Sequence, residues 1–74
     1  MTRRCSPTYF SDSLNAGKAA ARAVAVVVAN GWATDASLET CERYADGPTG
    51  WNAGEWMRGY RMALDMRGYL HLVR

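Results

Sequence analysis

The stretch Gly50-Trp51-Asn52-Ala53-Gly54-Glu55-Trp56-Met57-Arg58-Gly59-Tyr60-Arg61-Met62-Ala63-Leu64 decides how this chain folds. Asn52, with Glu55 three residues on, matches a capping box, and Trp51 and Trp56 stand where a hydrophobic staple would close over it. Thr49 is the alternative cap. Beyond the cap, Trp56, Tyr60, Ala63, Leu64 and Met66 share one side of a helix. Arg58, Arg61 and Asp65 share the other, with Arg61 and Asp65 at ion-pair spacing. The expectation is a helix over residues 51–67. Its glycines are the anomaly, since each costs about 1 kcal/mol when placed inside a helix. Close approach of another backbone compensates for such a cost, either from helix one or from an outside partner. A small domain must first build its own core, which favours helix one.

Upstream, Asp46-Gly47-Pro48-Thr49-Gly50 gathers the strongest turn formers and reads as a loop. Before it, residues 35–46 read as a second helix, capped by Thr34 or Asp35, with Leu38, Cys41 and Ala45 on its apolar side and Tyr44 beside them. Trp32 lies in the preceding connection. Residues 11–30 read as helix one, with Ser11, Asp12 and Ser13 as candidate caps and Gly31 as the left-handed stop. Its seam of Leu14, Gly17, Ala21, Val24 and Val28 consists almost wholly of small side chains, so a neighbouring helix can approach closely. Val26-Val27-Val28 suits a strand on propensity, but the alanine-rich approach and the glycine stop favour helix. Residues 1–10 form an arm whose Thr8-Tyr9-Phe10 end would pack on the core or form a short strand. Gly68 ends the third helix, and the alternation across 69–73 fits a short strand or an extended tail. The fold class expected is mainly α, a compact three-helix domain over residues 1–74 with short strands permitted at the termini.

Composition narrows function. With 74 residues, 49% hydrophobic and 22% charged, the chain is one ordinary globular domain with no room for a separate catalytic unit. The net charge is +2, and eight of the nine basic residues are arginines, whose planar fork suits recognition of carboxylates and phosphates. Those arginines are dispersed among seven acids, which makes a nucleic-acid-binding arm the lesser reading. Cys5 and Cys41 form no CxxC pair and follow no export signal, so they read as reduced thiols of a cytoplasmic protein. The longest apolar run, 19–29, is broken by Arg22 and is shorter than the ~20 residues a bilayer requires.

No constellation of catalytic residues stands out. A nucleophilic triad needs an oriented histidine, and His71, the single one, sits near the C-terminus. Zinc sites draw on closely spaced ligand pairs, and none is present. The acids Asp35, Glu39, Glu42 and Asp46 have the spacing of a solvated helix face, and Gly47-Pro-Thr-Gly50 lacks the lysine of a phosphate loop. The expectation is no enzyme, no cofactor and no metal. Tryptophan, tyrosine, arginine and methionine are the residue types of binding hot spots. Trp56, Tyr60 and Ala63 are assigned to the core. Arg58, Arg61, Arg67, Trp51 and Trp32 are assigned to a partner-binding surface, with Glu39 and Glu42 contributing a second, negative face.

The segment Trp56-Met-Arg-Gly-Tyr-Arg-Met-Ala-Leu64 resembles the closing helix of ribosome modulation factor and related phage-borne small proteins, and Cys41 and Tyr44 loosely echo that family's cysteine–proline–tyrosine element. The resemblance covers about a third of the chain, and it departs where Cys41 lacks the following proline. It implies that Arg58 and Arg61 face ribosomal RNA phosphate. In size and composition the chain is similar to phage accessory inhibitors of the anti-CRISPR type, which implies a host protein complex as partner. That second reading ranks first, because a mixed-charge surface suits a protein better than RNA. Self-association through the small-residue seam is a further route to burying apolar surface.

Overall fold

The computed structural model describes residues 8–73; the arm through Pro7, with Cys5, Arg3 and Arg4, and Arg74 lie outside the described residues. The chain forms three α-helices, α1 (Tyr9–Ala29), α2 (Leu38–Tyr44) and α3 (Ala53–Met66), followed by a 3-10 turn at Leu70–Leu72. The described residues contain no strand, so the terminal strands allowed above are replaced at one end by the first turn of α1 and at the other by the 3-10 turn.

Helix α1 starts at Tyr9, two residues earlier than the cap candidates suggested. Thr8 precedes it without a side-chain cap to the backbone, although its hydroxyl donates to the Asp12 carboxylate at 3.0 Å. Ser13, instead of capping, is fully buried inside the helix; its hydroxyl donates to the Tyr9 carbonyl (2.8 Å) and accepts from the backbone N–H of Asn52 (2.9 Å). Asn52 caps α3 as expected, its side chain accepting from the Glu55 N–H at 3.0 Å. The capping box is therefore completed from outside the helix. Ser13 takes the Asn52 N–H, and Glu55 is left to pair with Arg58.

Two helices end in the same way. After α1, Gly31 (φ +79°) donates to Val28 and Trp32 donates to Val27, both at 3.0 Å. After α3, Gly68 (φ +76°) donates to Asp65 and Tyr69 to Leu64. These paired bonds define a Schellman motif, which needs a residue free to adopt positive φ at the stop. The motif leads Tyr69 back onto the core, and the Ala36 N–H then donates to Leu72 (2.9 Å), which pins the 3-10 turn to the connection before α2.

Helix α2 is shorter than the expected 35–46. Its cap is Ser37, whose hydroxyl accepts from the Thr40 N–H (3.2 Å), while the Asp35 carboxylate gathers the Ser37 hydroxyl and the Thr40 hydroxyl. Asp35 thus organises the start of the helix without being its first flanking residue.

Helices α1 and α3 run in the same direction. Ser13 meets Asn52 near the start of both, and Ala25, Val26 and Ala29 meet Arg67 and Tyr69 at the far end. They touch backbone to backbone. A Cβ on Gly17 would lie within the Trp56 carbonyl group, 2.8 Å from its carbon and 3.0 Å from the Tyr60 nitrogen. One on Gly59 would lie within the Leu14 carbonyl group, 2.9 Å from its carbon. Gly59 therefore serves internal packing, whereas a Cβ on Gly54 would meet only the Asn52 side chain, and the Gly17, Ala21 and Val24 seam of α1 is covered by α3. The core is built from Ala20, Ala21, Val24, Ala36, Cys41, Trp56, Tyr60, Ala63 and Leu64, with Trp56 and Tyr60 stacked at 5.0 Å between ring centroids. Met66, expected on the apolar face, is 80% exposed. Arg61 and Asp65 stand at helical spacing without forming an ion pair.

Candidate functional site

The helices leave an open cleft of about 330 Å³ between α1 and the chain that runs from the end of α2 to the start of α3. Its floor is alanine. Ala16, Ala19, Ala20 and Ala23 recur at helical spacing along α1, on a strip beside the seam that α3 covers. Trp56 closes the inner end, and Tyr44 and Trp51 stand as walls, 40% and 38% exposed. The rim carries Asp46, whose carboxylate is exposed and makes no hydrogen bond or ion pair among the described residues; only its backbone carbonyl is engaged, by the Cys41 thiol at 3.5 Å. Alanines at these positions are what create the space, because any longer side chain would fill it.

Tyr44 also extends the aromatic surface beyond the cleft. Its hydroxyl donates to the Trp32 carbonyl at 3.3 Å, tying the α1 stop to the end of α2, and Trp32 itself is 64% exposed. Glu39 and Glu42 are exposed on α2, Glu39 at 4.0 Å from Arg43 and Glu42 against the Gly47 bend. Tyr44 therefore links Trp32, through its hydroxyl, to the cleft that it lines with Trp51 and Asp46.

The three arginines assigned from sequence lie elsewhere, on α3 and its end. Arg58 is exposed but pairs with Glu55 at 3.3 Å. Arg67 turns back to donate to the Ala63 carbonyl (3.3 Å) and borders a second shallow cleft with Ala25, Val26, Ala29 and Tyr69. Arg61 is exposed and without an ion-pair partner. Of the sequence assignments, Trp32 and Trp51 both lie by Tyr44, one through a hydrogen bond and the other across the cleft, whereas Glu39, Glu42 and the arginines are not among the residues that line it. The sequence places Tyr44 beside the apolar side of α2, and the alanine floor is not evident in it. The 16, 19, 20, 23 spacing was the available signal, hidden beside the glycine-bearing seam.

Cys41 and Tyr60 lie beneath this surface. Burial pushes the Cys41 thiol up from its ordinary 9.0 to about 11, an effect partly offset by the neighbouring Tyr60 hydroxyl and reinforced by the charges of Glu42 and Asp46. Burial likewise raises the Tyr60 phenol, which donates to the Ala36 carbonyl at 2.8 Å. A thiol held neutral at physiological pH is a core residue and not a nucleophile. His71 is exposed on the 3-10 turn. Among the described residues no group of histidines, cysteines and acids could hold a metal ion, and no helix is long and apolar enough to cross a membrane.

No family model, no curated protein and no solved structure matches the chain.

Proposed function

We propose that the protein is a non-catalytic binding module, an inhibitor of the phage accessory kind, which acts in the cytoplasm by occupying a functional site on a host protein complex through its aromatic and acidic edge. The observation that carries this reading is the open apolar cleft lined by exposed Tyr44, Trp51 and Asp46, with exposed Trp32 tied to it through the Tyr44 hydroxyl and Glu42 against the adjoining Gly47 bend. Large aromatics are the side chains that anchor protein interfaces, and a rigid helical frame presents them at little entropic cost. The acids would steer the edge toward a basic surface, such as the groove where the target itself binds nucleic acid. The ribosomal RNA reading draws on the arginines of α3. Arg58 and Arg67 already have partners within the chain, so that reading ranks second.

The test is capture of partners by the tagged chain from a bacterial lysate treated with ribonuclease, alongside two charge reversals. Recovery of one protein complex, lost with Glu42→Lys/Asp46→Lys and kept with Arg58→Glu/Arg61→Glu, is the expected result. Recovery of ribosomal particles that ribonuclease and moderate salt abolish, and that the arginine reversals remove, would replace it with the RNA reading.

A further inference from the structure

We infer that the alanine-floored cleft is a receptor for a single arginine side chain of the partner polypeptide. The inference rests on the proposal that this edge binds a protein, and it identifies the chemistry the edge selects. The cleft has an apolar floor along which an aliphatic stem can lie, aromatic walls in Tyr44 and Trp51, a third ring in Trp56 at its inner end, and one carboxylate, Asp46, on its rim. That combination matches the anatomy of an arginine. Its methylene stem is apolar, and its planar, weakly hydrated guanidinium stacks on aromatic faces and pairs with a carboxylate in a fork.

Charge decides the class of occupant. Among the described residues Asp46 is the only charged residue lining the cleft, and its carboxylate is uncommitted there. The nearby cations among the described residues do not compete for it. Lys18 and Arg22 interleave with the floor alanines in sequence but do not line the cleft, and Arg43 is drawn to Glu39. Glu42, whose side chain lies against the Gly47 bend next to Asp46, adds a second negative charge nearby. An anionic or purely aliphatic occupant would leave that charge without a counterpart, and an aromatic one would not use it. A lysine would use the carboxylate but present a compact, strongly hydrated ammonium to the rings, so arginine exceeds it. At about 330 Å³ the space lies at the small end of the range for ligand pockets, which suits one side chain better than a folded element.

The experiment titrates the isotopically labelled full chain with acetyl-Gly-Arg-Gly-amide and follows amide and indole resonances. Matched peptides carry citrulline, which keeps the shape and removes the charge, or lysine. Saturable shifts confined to the cleft, around Ala19, Tyr44, Asp46 and Trp51, are expected. The citrulline peptide should bind about two- to five-fold more weakly, the range of one exposed cation–π contact, and the lysine peptide should fall between it and the arginine peptide. Asp46→Asn should weaken the arginine peptide by a similar factor while leaving the citrulline peptide unchanged. Ala19→Leu, a change on an exposed helical position, should fill the floor and block every peptide. The absence of saturable shifts, equal binding of the citrulline or lysine peptide, or binding unaffected by Ala19→Leu would each overturn the assignment. Because the titration needs no partner protein, its failure is separate from failure to recover a partner from lysate.

Discussion

Gly59→Ala should reverse the effect this substitution usually has in a helix. Replacing an interior helical glycine by alanine ordinarily stabilises by about 0.5–1 kcal/mol, because glycine loses more backbone freedom on folding. At Gly59 the added Cβ would sit within the Leu14 carbonyl group of α1. A clash with a side chain can be relieved by a rotamer change, but one with backbone can be relieved only by moving a helix. Overfilling a packed core costs roughly 1–3 kcal/mol, and a backbone obstacle places this case at the upper end. After subtracting the gain in propensity, the net loss is about 2 kcal/mol, which for a domain of this size lowers the melting temperature by roughly 8–16 °C. Gly54 is the internal control. It lies in the same helix, and a Cβ there would meet only the Asn52 side-chain oxygen at 3.5 Å, so Gly54→Ala should raise stability by roughly 0.5 kcal/mol. Urea unfolding followed by circular dichroism measures both. If the two variants change stability in the same direction, the close backbone crossing is not what holds α1 and α3 together. The Gly17→Ala/Gly59→Ala double variant should lose less than the sum of its parts, because one separation of the helices relieves both collisions.

Two further outcomes are expected. Ser13→Ala removes a buried hydroxyl from both its partners and leaves the Asn52 N–H unsatisfied, which should cost about 1–2 kcal/mol; a loss below ~0.5 kcal/mol in the same unfolding assay would show that the bond to α3 adds nothing. Cys41, with its folded pKa raised, holds its proton more tightly folded than unfolded. Its contribution is therefore complete below the ordinary value of 9.0 and is lost as pH rises toward about 11. Tyr60 shifts the same way, so stability should fall across that alkaline window. In a Cys5→Ser background, Cys41 should resist thiol reagents at pH 8 until the chain unfolds, and rapid labelling of the native protein would contradict its burial.

Much of the fold was legible because local signals agreed with the tertiary outcome. Gly31 and Gly68 stop their helices, Asn52 caps the third, and Gly17, Ala21 and Val24 lie in the buried contact of α1. The residues assigned to the core, Trp56, Tyr60 and Ala63, are all buried. What escaped the sequence depends on partners distant in the chain. Ser13 looks like a cap, but its hydroxyl is used by a backbone group 39 residues away. Asp35 looks like the cap of α2, but it acts one step back, through Ser37 and Thr40. The alternation of residues 69–73 suits a strand, yet among the described residues no strand is adjacent to pair with, and the bond from Ala36 to Leu72 settles a 3-10 turn. At the candidate site, residue type revealed Trp32 and Trp51, whereas the floor between them required knowing which strip of α1 is left uncovered by α3.

The parallel pairing of α1 and α3 also determines when the fold can form. Bundles built from helical hairpins fold rapidly because their contacts are close in sequence. Here the tightest helix pair is joined across a long crossover, and closing a loop of 39 residues has an entropic cost of about 3 kcal/mol before any contact between the helices is made. The seven-residue α2 within that crossover is too short to persist alone, and it packs on α1 far more lightly than α3 does. No adjacent pair of elements can therefore consolidate first. On a translating ribosome, helix one must wait, its alanine and valine face uncovered, until the last third of the chain has emerged.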